Sequence, residues 1–184
     1  MRIERVVDPA AVHAAVDLFD GPPLATATER FLASPTHHLL FAYDDDGRAV
    51  GMVSGVETTH PDKGTEMFLY ELSVAPAARL QGVGSALVRA LAGIARERGN
   101  YGMWVGTERD NDAALATYRS AGADEEAPFV LLSWDLTRPD DQPPPIQEAP
   151  AQPPPTEDGR QAGGRSDAGH TYGRSSGTSP NSGR

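Results

Sequence analysis

An apolar run, Met67 to Val74, leads through a short proline-containing link into Arg79-Leu80-Gln81-Gly82-Val83-Gly84, and then into a segment, Ser85 to Arg98, that sets Leu87, Val88, Leu91, Ile94 and Ala95 on one stripe. This succession of strand, glycine-rich turn and amphipathic helix constrains the fold more than any other stretch, because such a helix must bury its stripe on a sheet. The turn also has a chemical consequence. The first turn of a helix carries N–H groups without backbone partners and a partial positive charge of about half a unit, so anions settle there. Gly82 and Gly84 lack Cβ atoms and tolerate positive φ, which lets a bulky phosphate approach the backbone, and Arg79 adds a permanent cation. Two commoner anion loops do not fit. No Lys-Ser or Lys-Thr pair completes a P-loop, and Ser85-Ala86-Leu87 supplies no third glycine for a dinucleotide fingerprint.

The chain has 184 residues, and its composition changes abruptly near Arg138. From there to Arg184 it holds 9 Pro and 7 Gly in 47 residues, with only Ile146 and Tyr172 as large apolar groups, too few to offset chain entropy. Residues 138–184 are therefore expected to be a disordered tail, locally extended at its two Pro-Pro-Pro runs, and residues 1–137 a single domain. That domain is acidic, with 20 Asp or Glu against 11 Lys or Arg, or −9 of the chain's −10. Its summed field disfavours nucleic acid and anionic membranes and favours cationic small molecules. There is no cysteine, which excludes disulfides, thiolate metal sites and an enzyme-bound thioester. None of the histidines at 13, 37, 38 and 60 has metal-ligand spacing to a second ligand, so no metal is expected. The paired His37-His38 reads as structural or surface, with the substrate end of a cleft as its functional alternative. No stretch approaches the ~20 apolar residues needed to span a bilayer, and a cytoplasmic protein is the default expectation.

Hydrophobic periodicity predicts a strand over Ile3–Val7, then one helix opened by Asp8-Pro9, carrying Val12, Val16 and Phe19, and ended by Gly21-Pro22-Pro23. A second helix follows over Thr28–Ala33. Strands over His38–Tyr43 and Ala49–Val56 flank the turn Asp44-Asp45-Asp46-Gly47, and a polar loop, Glu57–Gly64, precedes a strand over Thr65–Val74. After the amphipathic helix come a strand over Tyr101–Gly106, a helix over Asn111–Ala121 and a last strand over Phe129–Leu136. The order is β-α-α-β-β-β-α-β-α-β.

The pattern Leu72-x-Val74-x-Pro76-x-x-Arg79-x-Gln81-Gly82-x-Gly84 resembles the coenzyme A loop of the GNAT superfamily of acetyltransferases, whose Arg/Gln-x-x-Gly-x-Gly/Ala motif is met at Arg79, Gly82 and Gly84. The resemblance implies a mixed α/β fold, a mostly antiparallel central sheet flanked by helices, with acetyl-CoA as acetyl donor. It assigns the donor to Arg79, Gln81, Gly82, Val83, Gly84 and Ser85, to the strand backbone of Leu72, Ser73 and Val74, and to Asn111. It gives Tyr118 the task of protonating the departing thiolate, which suits a neutral phenol. The structural alternatives are an N-cap for Asn111 and a core aromatic for Tyr118. The strands ending near Val74 and Gly106 are expected to splay and admit the acyl chain.

An attacking amine must first lose a proton, and Glu71 is the candidate base and substrate ligand, being an acid within Phe68-Leu69-Tyr70-Glu71-Leu72. Strand alternation equally permits an outward-facing carboxylate there. Glu108, Asp110 and Asp112 form a second acidic group that could bind a polycation, although Asp110 reads more simply as a helix cap. Within the superfamily, residues 39–136 are most similar to the aminoglycoside 3-N-acetyltransferases of the gentamicin and fortimicin resistance type. The resemblance implies acetylation of a cationic antibiotic, with a homodimer as an available assembly. A protein or peptide N-acetyltransferase is the second reading, and a non-catalytic coenzyme A-binding module whose tail recruits a partner is the third.

Overall fold

A computed structural model describes residues 1–124, which form a five-stranded sheet in the order β1-β2-β3-β4-β5 with helices against both faces. The strands are β1 (Arg2–Arg5), β2 (His37–Tyr43), β3 (Ala49–His60), β4 (Gly64–Val74) and β5 (Met103–Trp104). The helices are α1 (Pro9–Ala14), α2 (Ala25–Ala33), α3 (Val83–Glu97) and α4 (Asp112–Ser120). β1 to β4 pair antiparallel, and β5 joins β4 in parallel after the crossover through α3. Among the described residues this is the expected order of elements. The final strand expected over Phe129–Leu136 and the tail beyond Arg138 lie outside them. No described helix is long and apolar enough to cross a membrane.

β2 explains why helices are needed on both faces. Leu39, Leu40, Phe41 and Ala42 are all buried. Leu40 and Ala42 pack with Leu87, Val88 and Leu91 of α3, while Leu39 and Phe41 pack with Val12 of α1 and with Ala15 and Leu18. Two glycines of β3 let α3 come close, since a Cβ on Gly55 would lie 2.9 Å from Leu91 and Met67, and one on Gly51 3.0 Å from Val83.

Three expectations need correction. The first helix is not continuous to Phe19; it stops at Ala14, where the Ala15 N–H is shared between the Ala11 and Val12 carbonyls, and resumes as a 3-10 turn over Val16–Leu18. Burying both Val12 and Leu18 against the sheet is compatible with that break. The supposed polar loop is largely strand, with β3 running to His60 and β4 starting at Gly64. Glu57 of this stretch reaches inward to His38 and Arg98, while residues 58–64 are exposed, which accounts for their polarity. β5 is only two residues long, since its ladder with β4 consists of Met67 opposite Met103 and Phe68 opposite Trp104.

Candidate active site

The turn into α3 is built as its residues suggest, but its two glycines do different work. Gly82 has φ +80° and caps α3 without any side-chain acceptor, and nothing lies within 4 Å of where its Cβ would be. Gly84 is in ordinary helical backbone; a Cβ there would meet Thr117 of α4 at 3.1 Å and Val74 at 3.6 Å. The expectation that both positions exploit positive φ is thus corrected. Gly82 opens the helix end toward solvent, and Gly84 lets α4 settle against α3. Leu80 also adopts a left-handed conformation, φ 59°, while wholly exposed, a conformation that costs a branched residue about 1–2 kcal/mol.

The side chains around this turn are partly engaged within the protein. Arg79 donates from Nε to the Val74 carbonyl at 3.1 Å, which leaves its other guanidinium N–H groups, and Gln81 donates to the Ala77 carbonyl at 2.9 Å. The Ser85 hydroxyl donates to the Thr117 carbonyl at 3.4 Å and meets Ser120 Oγ, so Ser85 can offer a ligand its backbone N–H but ties its side chain to α4. Arg89 donates to the Ser120 carbonyl at 3.2 Å, completing the α3 to α4 seam. Val83, Gly84 and Ser85 are the first three residues of α3, and their N–H groups precede the first intrahelical bond, from Ala86 to Gly82. An open αL cap, three unpartnered donors and an adjacent guanidinium fit a pyrophosphate.

Asn111 stands at the start of α4. Its side chain accepts from Ala114 N at 3.1 Å as the N-cap of α4, so the cap expected at Asp110 belongs to Asn111. Glu108, Asp110 and Asp112 sit exposed around that helix start; the backbone carbonyls of Glu108 and Asp110 accept from the N–H groups of Asn111 and Asp112, and the Asp112 carboxylate suits the positive end of the helix. No described contact joins them to Glu71. Tyr118 is half-buried at the edge of the α3-side core, and burial pushes its phenol up, so it stays a neutral donor at pH 7.

Glu71 owes its position to a bulge that no alternation rule discloses. Ser54 pairs with Glu71 but Gly55 pairs with Leu69, leaving Tyr70 without an opposite residue. Such an insertion reverses the faces beyond it. Met67 and Leu69 before the bulge, and Leu72 and Val74 after it, all pack into the α3-side core. Glu71 and Ser73 therefore turn to the other face, which α1 and α2 cover over β1 to β3. Burial, helped by the nearby Asp20 carboxylate, pushes the Glu71 carboxyl up. Its neighbour across the ladder is Ser54, 6% exposed, whose Oγ has no partner.

Glu71 and Tyr118 thus lie on opposite faces of the sheet. Between those faces β4 and β5 part company: past Phe68 and Trp104 the β4 edge from Leu69 to Val74 has no strand partner among the described residues. Three neighbours of this stretch were not singled out from the sequence. Ser54 gives no sequence signal beyond its burial in an apolar strand. Phe68 and Trp104, stacked at 4.3 Å, could have been noticed as aromatics on two consecutive strands.

Residues 10–123 match the family model described as the Acetyltransferase (GNAT) family. The chain is 34% identical over 113 residues to the N-alpha-acetyltransferase RimI of Mycobacterium tuberculosis, 61% of this chain and 68% of that one. An aminoglycoside acetyltransferase from an uncultured soil metagenomic sample superimposes with a TM-score of 0.67 at 21% identity, over 73% of this chain and 95% of its own. The aminoglycoside antibiotic 6'-N-acetyltransferase AAC(6')-IG of Acinetobacter haemolyticus does so with a TM-score of 0.60 at 22% identity, over 74% and 99%. The chain belongs to the GNAT family of acetyltransferases and is an acetyl-CoA-dependent N-acetyltransferase.

Proposed function

We propose that this acetyltransferase works by direct attack of a cationic small molecule's amine on acetyl-CoA, with Glu71 as base and Tyr118 as acid, and that its acceptor is an aminoglycoside. The observation that supports the reading is that Glu71 turns to the face opposite α3, on the stretch of β4 beyond its ladder with β5, while Tyr118 packs on the α3 side. The α3 turn, through Arg79, Gln81 and the N–H groups of Val83, Gly84 and Ser85, holds the pyrophosphate, and the backbone of Leu72, Ser73 and Val74, on the side of β4 away from β3, receives the acyl arm. Glu71 takes a proton from the ammonium group; the freed lone pair forms the new C–N bond, the C–S bond breaks as Tyr118 gives its proton to the departing thiolate, and the surplus proton on the amide nitrogen returns to the Tyr118 phenolate. A carboxyl pushed up by burial is the better base for this near neutral pH. The cytoplasm is the proposed compartment.

The resemblance to the 3-N type makes the 3-amine the proposed position. Thiol release from acetyl-CoA across an amine library, with the acetylated position assigned by NMR, tests both levels. A protein that binds acetyl-CoA and leaves a panel of aminoglycosides untouched would sink the substrate assignment. The second reading, acetylation of a protein N-terminus, is favoured by the likeness to RimI. N-terminal peptides belong in the same assay, and preferential turnover of them would replace the first reading with the second.

A further inference from the structure

The acceptor side of the sheet carries a feature that the proposed chemistry does not use. On the face opposite α3, the described helices α1 and α2 cover β1 to β3 and leave β4 and β5 open. Phe68 lies on that face, since Met67 and Leu69 on either side of it point into the α3-side core. Trp104 lies there too, between Met103 and Val105 of the same core, and stacks on Phe68 at 4.3 Å with an interplanar angle of 28°. Tyr70, at the bulge, meets Phe68 edge to face at 5.9 Å. Tyr70 is 68% exposed and Trp104 46%, an unusual amount of aromatic surface to leave in water.

This aromatic strip has a carboxylate at each end. Glu71 closes one end. Glu66, two residues before Phe68 and on its face, closes the other, held by the Tyr101 hydroxyl donating to Oε2 at 2.7 Å. With one residue of the interval taken up by the bulge, the two carboxyl-bearing positions are roughly 13 Å apart along β4, at about 3.3 Å per paired residue. Beside Glu71 sits a buried hydroxyl without a partner, Ser54 Oγ, more than nine-tenths buried and able to accept from an ammonium group as well as donate. An acid, a stacked aromatic surface and a second acid in a line suit one chemistry, a molecule with cationic ends and an apolar or ring-shaped middle that can lie over an indole.

We propose that the strip from Glu66 across Phe68 and Trp104 to Glu71 is the acceptor subsite, and that it selects dications: one ammonium group at Glu71 and Ser54, the second at Glu66, the body of the molecule against Trp104. Its role as the acceptor subsite rests on the proposed acetyl transfer, but its selectivity for dications can be read by binding alone. Calorimetric titration of the full chain saturated with coenzyme A uses three probes: diaminodecane, whose ammonium groups match the strip, decylamine, and the shorter diaminobutane. Diaminodecane should bind about tenfold more tightly than either of the others. Glu66→Gln, a change at the surface, should abolish that advantage and leave decylamine affinity unchanged; Trp104→Ala should weaken both long probes together. Equal affinity for diaminodecane and decylamine in the native protein, or an advantage that survives Glu66→Gln, overturns the proposal. Tight dication binding without acetylation would instead refute the proposed reaction and leave the strip standing. Acetylation of N-terminal peptides that depends on Trp104 but not on Glu66 would mean that the strip reads an apolar side chain, and the dication assignment would fall.

Discussion

The two halves of the candidate site are assembled by different means. The donor half is local: Arg79, Gln81, Gly82, Val83, Gly84 and Ser85 are consecutive or nearly so, and one helix start supplies their geometry. The acceptor half is made of residues scattered over β3, β4 and β5, brought together by a bulge at Tyr70 and a parallel ladder two residues long. The difference teaches where specificity can change at low cost. Altering the donor half disturbs a helix cap and the α3 to α4 seam, whereas altering Glu66, Phe68, Tyr70 or Trp104 replaces exposed or half-exposed side chains on the part of the sheet that the described helices α1 and α2 leave open.

The comparison breaks most visibly at Glu71. Glu71→Gln removes the base while preserving shape, and kcat/KM should fall by roughly 10²–10⁴-fold, the range associated with a positioned general base. Acetyl-CoA affinity, measured by titration, should not change, because the donor half is untouched. In the native enzyme, activity should decline as pH falls through the Glu71 pKa, which burial raises above the ordinary carboxylate value, since only the ionised form accepts a proton. A Glu71→Gln enzyme that retains this acid limb would remove Glu71 from the mechanism.

Tyr118 probes the other side of the gap. Tyr118→Phe should lower kcat by about 10²-fold if the phenol is the general acid, with little change in KM for either substrate. A protein that only binds coenzyme A would be indifferent to the loss of the hydroxyl. Unchanged turnover would return Tyr118 to being a core aromatic, a role its packing among Val105, Leu87 and their neighbours would support.

How much of this was legible in the sequence follows the same division. The strand, turn and helix around Arg79 could be read because every signal involved is short-range: apolar periodicity, glycine at a helix start, a cation beside it. Even there, the separate duties of Gly82 and Gly84 were hidden, because the reason for Gly84 is Thr117, a residue of another helix. Glu71 could be singled out as an acid in an apolar strand but not oriented, since period-two alternation holds only while the ladder stays in register. The same limit misassigned Glu57 to a loop, when its partners His38 and Arg98 are 19 and 41 residues away. Phe68 and Trp104 meet only once the α3 crossover has returned the chain to the sheet.

A smaller effect is expected at Gly84. Gly84→Val would push a branched side chain toward Thr117 Cγ2, already 3.1 Å from an ideal Cβ, so α4 must move or the pair must strain. Overpacking of this kind costs about 1–3 kcal/mol, which thermal unfolding would register. Because α4 carries Tyr118, kcat should fall together with stability, and a rise in KM for acetyl-CoA should accompany both. Gly82→Ala has room for its methyl group but a φ of +80° to satisfy, and should cost stability while leaving the α3 to α4 seam intact. If both variants lose only acetyl-CoA affinity, the two glycines share one role after all.

The smallest effect separates two carboxylates on opposite faces of the sheet. Glu57, beneath α3, bonds to fully buried His38 at 2.7 Å and also to Arg98; burial works against its ionised form, but these bonds prevail and hold its carboxyl below the usual value. His38 is lowered from 6.5, chiefly by burial, so it remains neutral and donates from Nε2, its Nδ1 being buried without a partner. For a histidine whose folded value lies below its unfolded one, the unfolded chain binds more protons, and stability falls as pH drops below 6.5 toward the folded value. The Glu57 contribution is present above 4.5 and is lost as pH falls through its lowered folded value. Melting temperature should therefore decline in two stages on acidification, the first assigned to His38 and the second to Glu57. His38→Gln, which can keep a donor facing Glu57 but cannot titrate, should remove the first stage and leave the acid limb of activity at Glu71 where it was. If His38→Gln moves that limb as well, the two faces are electrostatically coupled, and base strength on the acceptor side is set partly from beneath α3.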